Sequence, residues 1–102
     1  MKRTIIQYTV KADRAEENQK FVEKVYEELR RNSPPGLRYA TFKQPDNRTF
    51  IHLVSVEVEN GNLPLSQSAS FKAFQEGIQD RCEVQPVATE LTVVGSYNFF
   101  DN

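Results

Sequence analysis

One stretch constrains this chain more than any other: Pro86 to Phe100, which reads PVATELTVVGSYNFF. Its β-branched and aromatic residues, among them Val87, Thr89, Thr92, Val93, Val94, Tyr97 and Phe99, suit a pleated, half-buried surface. Fully extended, its roughly fourteen residue-to-residue steps of about 3.3 Å would reach about 46 Å. A compact domain of this length has a radius of gyration near ~13 Å and is only about 35 Å across. A strand of that length must bend, or overhang and pair outside its own subunit. Gly95 offers a place to bend. Pro86 fits the first position of a strand, where no ladder hydrogen bond is lost. The expectation is a last strand central in its own sheet, with an overhang that pairs with a second copy.

The 102 residues fit one domain, 1–102, with a real but marginal core. Charged residues make up 26% and the net charge is −1, so the basic excess that nucleic-acid binding needs is missing. No apolar run reaches the length of a membrane span. The opening MKRTIIQYTV carries two basic residues, but Gln7 and Thr9 break the apolar stretch and no small-residue cleavage site follows. It reads as a first strand. Cys82 is alone, which excludes an intrachain disulfide, argues against a cysteine-based zinc site and fits a reducing cytoplasm.

Residues 3–11 alternate, with Ile6, Tyr8 and Val10 on one face. Asp13 and Glu16 form a box-like helix start. Phe21, Val22, Val25, Tyr26 and Leu29 then lie on one helical stripe, and Asn32-Ser33-Pro34-Pro35-Gly36 stops it. Residues 37–44 and 48–58 are strands joined at Pro45-Asp46-Asn47, an antiparallel hairpin. In the second of them Phe50, His52, Val54, Val56 and Val58 share a face, with Ile51, Leu53, Ser55 and Glu57 on the other. A turn at residues 59–62 follows. Ser66, Ser68 or Ser70 can cap a second helix carrying Phe71, Phe74 and Ile78. Gly77 inside that helix costs about 1 kcal/mol against Ala, a sign of close packing or of a weak helix.

The order β-α-β-β-α-β specifies an α+β, ferredoxin-like sandwich: a four-stranded antiparallel sheet with two helices on one face. The other face would stay apolar and bare, which a soluble protein covers. Two copies packed sheet to sheet would bury it.

Ser68-Ala69-Ser70-Phe71-Lys72-Ala73-Phe74 resembles the second-helix opening of the antibiotic-biosynthesis-monooxygenase-like group of the dimeric α+β barrel superfamily. Val94-Gly95-Ser96-Tyr97 resembles the late last strand of the same group, and the element order matches over nearly the whole chain. The resemblance implies a homodimer and, in some members, cofactor-independent oxygenation of quinols or polyphenols. Other members degrade haem. Active members commonly carry a His, and often a Trp, between the third strand and the second helix. Here residues 56–85 contain no His, and the chain has no Trp. No catalytic residue is therefore carried over from the group.

His52 is the chain's one histidine and its candidate catalytic residue. One reading makes it a pocket acid/base group. The other makes it a core-edge histidine bonded to a backbone carbonyl or a tyrosine. If there is a pocket, it lies between helices and sheet, lined by Tyr8, Tyr26, Phe50, Phe71 and Phe74. Desolvation there would keep the ring neutral, able to accept a proton from a phenolic substrate. The tyrosines, including Tyr39 and Tyr97, could line that cavity or be core rings with hydroxyls at the rim. Arg38 and Arg48 are either flanking groups at a pocket mouth or solvated strand-edge residues. Acidic neighbours should raise the Cys82 thiol pKa and keep it from acting as a nucleophile. No cofactor or metal is expected, and the partners expected are a second copy and a small aromatic ligand. The two functions that fit are a cofactor-independent monooxygenase on a small aromatic or quinol-like compound, and a non-catalytic homodimer that binds a small ligand.

Overall fold

The computed structural model describes residues 2–57 and 68–99. Four strands, β1 (Lys2–Val10), β2 (Leu37–Lys43), β3 (Thr49–Val56) and β4 (Cys82–Leu91), form one antiparallel sheet in the order β2-β3-β1-β4. There are two longer helices, α1 (Ala15–Asn32) and α2 (Ala69–Glu76), and a short α3 (Ile78–Arg81) that follows α2 and leads into β4. This is the ferredoxin-like α+β arrangement. The turn at residues 59–62 and Ser66 lie outside the described residues.

Local chemistry sets the boundaries. A 3-10 turn at Ala12–Arg14 precedes α1 and contains Asp13, so the helix starts without the expected side-chain cap. The stripe of α1 buries Val22 and Val25 and also Asn18. Ser33, in the left-handed conformation at φ 44°, ends the helix by donating its N–H to the Leu29 carbonyl. Gly36 has φ 76°, a conformation that favours glycine, and a Cβ there would also crowd Glu57 Cβ at 3.3 Å. In the hairpin, the Asp46 carboxylate accepts from the Arg48 and Thr49 amides and the Thr49 hydroxyl, closing the turn through Asn47 at φ 61°. Ser68 is the serine that caps α2, accepting from the Phe71 amide.

The last strand departs from expectation in three ways. It is an edge strand beside β1, not a central one. It begins at Cys82 and ends at Leu91, short of the apolar residues that follow. Pro86 sits inside it, where the register shifts from Gln7↔Val87 to Thr9↔Val84. An edge strand at a bulge tolerates the missing N–H.

Helices cover one sheet face. Tyr8, Val10, Phe50, Val54 and Val56 pack there with Val22, Val25, Phe74 and Cys82. Strand alternation and register place Ile5, Ile51, Leu53, Phe42, Val87 and Leu91 on the opposite face. Phe42, Val87 and Leu91 are exposed there, as are Val93, Val94, Tyr97 and Phe99 beyond the strand. No helix among the described residues is long and apolar enough to cross a membrane.

Candidate functional site

The helix-facing layer holds a row of rings. Phe50 stacks on Tyr8 at 5.6 Å, Tyr8 on His52 at 5.3 Å, His52 on Tyr39 at 5.7 Å and Tyr39 on Tyr26 at 5.2 Å. Phe74 of α2 leans across Tyr8 and His52 at 6.2 and 5.5 Å, and Phe71 packs on Phe74. Strand pairing explains the row. Tyr8 pairs with Phe50, and His52 pairs with Ile6 on one side and Thr41 on the other, so all face the helices. The residues named from the sequence, His52, Tyr8, Tyr26, Phe50, Phe71 and Phe74, thus lie in one layer between helices and sheet.

A chain of polar groups runs through these rings. Arg81 Nε donates to Asn18 Oδ1 at 3.1 Å, and Asn18 Nδ2 donates to Tyr8 Oη at 2.9 Å. Tyr8 Oη is 2.8 Å from His52 Nε2. On the other side of the ring, Nδ1 lies 2.6 Å from Tyr39 Oη and 3.0 Å from Thr41 Oγ1, and Thr41 Oγ1 is 2.8 Å from Tyr26 Oη. The inner end is sealed: Arg81, Asn18, Tyr8 and His52 are each no more than 2% exposed. The outer end, at Tyr39, Thr41 and Tyr26, is half-buried. Arg81 is also held by the Phe74 carbonyl at 2.6 Å and lies 4.5 Å from the centre of the Phe21 ring. Gly77 makes room for it, since a Cβ there would lie 2.8 Å from an Arg81 terminal nitrogen. Gly77 itself lies between α2 and α3, at φ −105°, so the single helix expected there is interrupted, and a side chain at that point would also crowd Arg81.

Burial dominates the electrostatics. Desolvation pushes the His52 pKa from 6.5 down to about 4, so the ring is neutral near pH 7. Burial raises the Tyr8 and Tyr39 phenols well above their ordinary value and also raises Tyr26, and it lowers Arg81. The neutral imidazole is correspondingly a weak base. A phenol of ordinary pKa ~10 would have to transfer its proton uphill by about six units, or about 8 kcal/mol. The site is better suited to hydrogen bonding than to carrying a proton.

The other candidates fall elsewhere. Arg48 pairs with Glu83 and donates to the Val10 carbonyl, tying the hairpin to β4. Arg38 pairs with Ser55 in register, on the face away from the helices. Tyr97 is 90% exposed. The Cys82 thiol pKa is raised by burial, while its acidic neighbours Asp80 and Glu83 are paired with Arg14 and Arg48. The described residues hold no group of three or more His, Cys, Asp or Glu suited to a metal ion.

Asn18, Thr41 and Arg81 were missed from the sequence. Asn18 had a signal, because it precedes Val22 and Val25 by four and seven residues on the α1 stripe. Thr41 faces His52 across the hairpin once the register is known. Arg81 offered no pattern.

Compared by sequence, the chain matches no protein-family model and no curated protein significantly. Compared by structure, it is similar to PA3566 from Pseudomonas aeruginosa, with a TM-score of 0.75 and 14% identity over 92% of this chain and 94% of that one. A provisionally named antibiotic biosynthesis monooxygenase from Nitrosomonas europaea gives 0.74 and 16% over 91% and 89%. A further antibiotic biosynthesis monooxygenase gives 0.73 and 14% over 93% and 100%. At such identities the likeness concerns architecture, and this chain has the fold of the antibiotic biosynthesis monooxygenase structures.

Proposed function

We propose that the protein binds a small phenolic or quinol-like compound at the outer end of the polar chain and is a cofactor-independent monooxygenase acting on it. The observation that carries this reading is the neutral, buried His52 whose hydrogen bonds lead to the half-buried Tyr39 and Thr41. Tyr39 and Thr41 touch the ligand's oxygen in this reading, and His52 acts through them. The Tyr26 ring, stacked on Tyr39, supplies an apolar wall beside these polar groups, a mixture that suits a small aromatic ligand. The electron-rich ring itself supplies the electrons that dioxygen needs. The fold shared with proteins named as antibiotic biosynthesis monooxygenases supports the same reaction class by analogy.

The functional unit is a homodimer. The face away from the helices, with Ile5, Ile51 and Leu53 half-buried and Phe42 and Val87 exposed, and the exposed Val93, Val94 and Tyr97 after β4, support a second copy packed on that face. The lone, buried Cys82 supports a cytoplasmic location.

One observation favours a second reading. His52 is 2% exposed and both its nitrogens already have partners, as in a closed core. In that reading the dimer binds a small ligand without turning it over. The two are separated by following oxygen uptake with a panel of quinols, using wild type, His52→Ala and the milder Tyr39→Phe. Turnover that both variants lose supports the enzyme. Binding without oxygen uptake in wild type supports the binder, and turnover unchanged in both variants removes His52 from either role.

A further inference from the structure

We infer that Arg81, acting through Asn18 and Tyr8, is a positioning residue that holds His52 as the tautomer protonated on Nδ1 and so makes the outer end of the chain a hydrogen-bond donor. Each link follows from what the groups can give. A guanidinium only donates, so the Asn18 atom facing Arg81 Nε must be its carbonyl oxygen. That orientation turns the Asn18 NH2 toward Tyr8 Oη, which accepts it. The Tyr8 proton then points at His52 Nε2, which accepts. With Nε2 bare, the ring's one proton sits on Nδ1 and is donated toward Tyr39 Oη, the nearer of its two oxygen neighbours.

The opposite tautomer leaves a defect. If Nε2 carried the proton, Tyr8 Oη would accept from both Asn18 and His52, and its own proton would be stranded in a site where Tyr8 is 1% exposed. An unsatisfied buried donor disfavours that state roughly tenfold to a hundredfold. Flipping the Asn18 amide sets its NH2 against the Arg81 N–H, donor against donor.

The direction of the chain has a chemical consequence, which rests on the ligand reading proposed above. Donors run outward from a buried cation, and Tyr39, accepting from Nδ1, has its own proton to give, either to its neighbour Thr41 or to a ligand oxygen that takes Thr41's place. Such an end favours an oxygen that only accepts, best of all a negatively charged phenolate and next a quinone carbonyl, over the hydroxyl of a neutral phenol. It would stabilise the ionised form of a quinol without His52 taking up the proton.

The chain's one histidine makes the test unambiguous. Long-range proton–nitrogen correlation spectra of 15N-labelled protein near pH 7 should show Nδ1 protonated and Nε2 bare. Asn18→Asp should reverse this, since a carboxylate accepts from both Arg81 and Tyr8 and frees Tyr8 Oη to accept from Nε2–H. Arg81→Met, which removes the donor that orients the amide, should bring both tautomers into view. Wild type found with Nε2 protonated or as an even mixture overturns the relay, as does a folded Asn18→Asp or Arg81→Met that keeps Nδ1–H alone. The probe for the outer end is 4-nitrophenol, whose phenol and phenolate absorb differently. Wild type should bind the phenolate preferentially, and Asn18→Asp should shift the bound dye toward the phenol. If the tautomers behave as stated but wild type does not bind the dye, the donor-site half of the inference falls together with the ligand reading, and the relay stands.

Discussion

Lowering the pH should destabilise this protein well above the carboxylate range, through His52 alone. Its pKa falls from 6.5 to about 4 on folding because burial disfavours the charged ring. The unfolded chain therefore binds a proton that the folded chain refuses between those two values. Stability is full above pH 6.5 and is lost as the pH falls toward 4, with a limiting slope of about 1.4 kcal/mol per pH unit. Evaluated from pH 7 to pH 5, the loss is about 2 kcal/mol, a large share of the stability of a domain this small. The carboxylates with lowered pKa, Glu17, Glu28, Asp46 and Asp80, lose their contributions only below their ordinary values of 4.5 or 3.8, so pH 5–6.5 isolates the histidine. The assay is urea unfolding at fixed protein concentration, at half-unit pH steps, for wild type and His52→Gln. The variant should show a flat profile over that window. A wild type equally flat there, or a variant with the same slope, would refute the claim that the imidazole is buried and neutral.

Gly77→Ala should destabilise the protein by about 1–3 kcal/mol in denaturant titrations, as overpacking does. A variant of unchanged or higher stability would show that the Arg81 guanidinium, at the far end of a long side chain, yields easily. Ser68→Ala removes the cap of α2 and should cost about 1 kcal/mol, read as a thermal midpoint lowered by about 4–8 °C. An unchanged midpoint would mean that Glu28, which accepts from the Ser70 amide and hydroxyl, holds that helix end by itself. For the proposed dimer, Val87→Glu and Val94→Glu should halve the mass measured by light scattering while leaving the circular dichroism intact, because a buried unpaired charge costs several kcal/mol. A wild type that already runs as a monomer at micromolar concentration would end that proposal.

The fold was legible because its signals are periodic and local. Alternation placed Ile6, Tyr8 and Val10 on one face of β1, and the spacing of Val22, Val25 and Leu29 marked the inner stripe of α1. Asp46 and Asn47 marked the hairpin through their own side-chain chemistry. The last strand was misjudged because composition does not say where pairing stops. Val93, Val94, Tyr97 and Phe99 have the same β-favouring character as Val87 and Thr89, yet β4 ends at Leu91. Its partner β1 supplies the limit, since Leu91 pairs with Arg3, next to the start of that strand. Pro86 looked like a strand opener because a bulge leaves no trace in spacing.

The site divides along the same line. His52 and the rings around it could be grouped from the sequence because strand alternation carries them to one face. The groups that set their chemistry could not. Asn18 lies 10 residues from Tyr8 and 63 from Arg81, and only the packing of α1 against the segment before β4 brings the three together. Arg81 adjoins a helix end rich in polar residues, where an arginine is ordinarily solvated. Its burial depends on Gly77 four residues earlier, whose missing side chain leaves the space its guanidinium occupies. The buried guanidinium is held by the Phe74 carbonyl, Asn18 Oδ1 and the Phe21 ring, and the Glu17 carboxylate favours its charged form. Gly77 and Arg81 thus form one device. Whatever displaces the guanidinium also releases the Asn18 amide, and with it the hydrogen bond that orients Tyr8 toward His52.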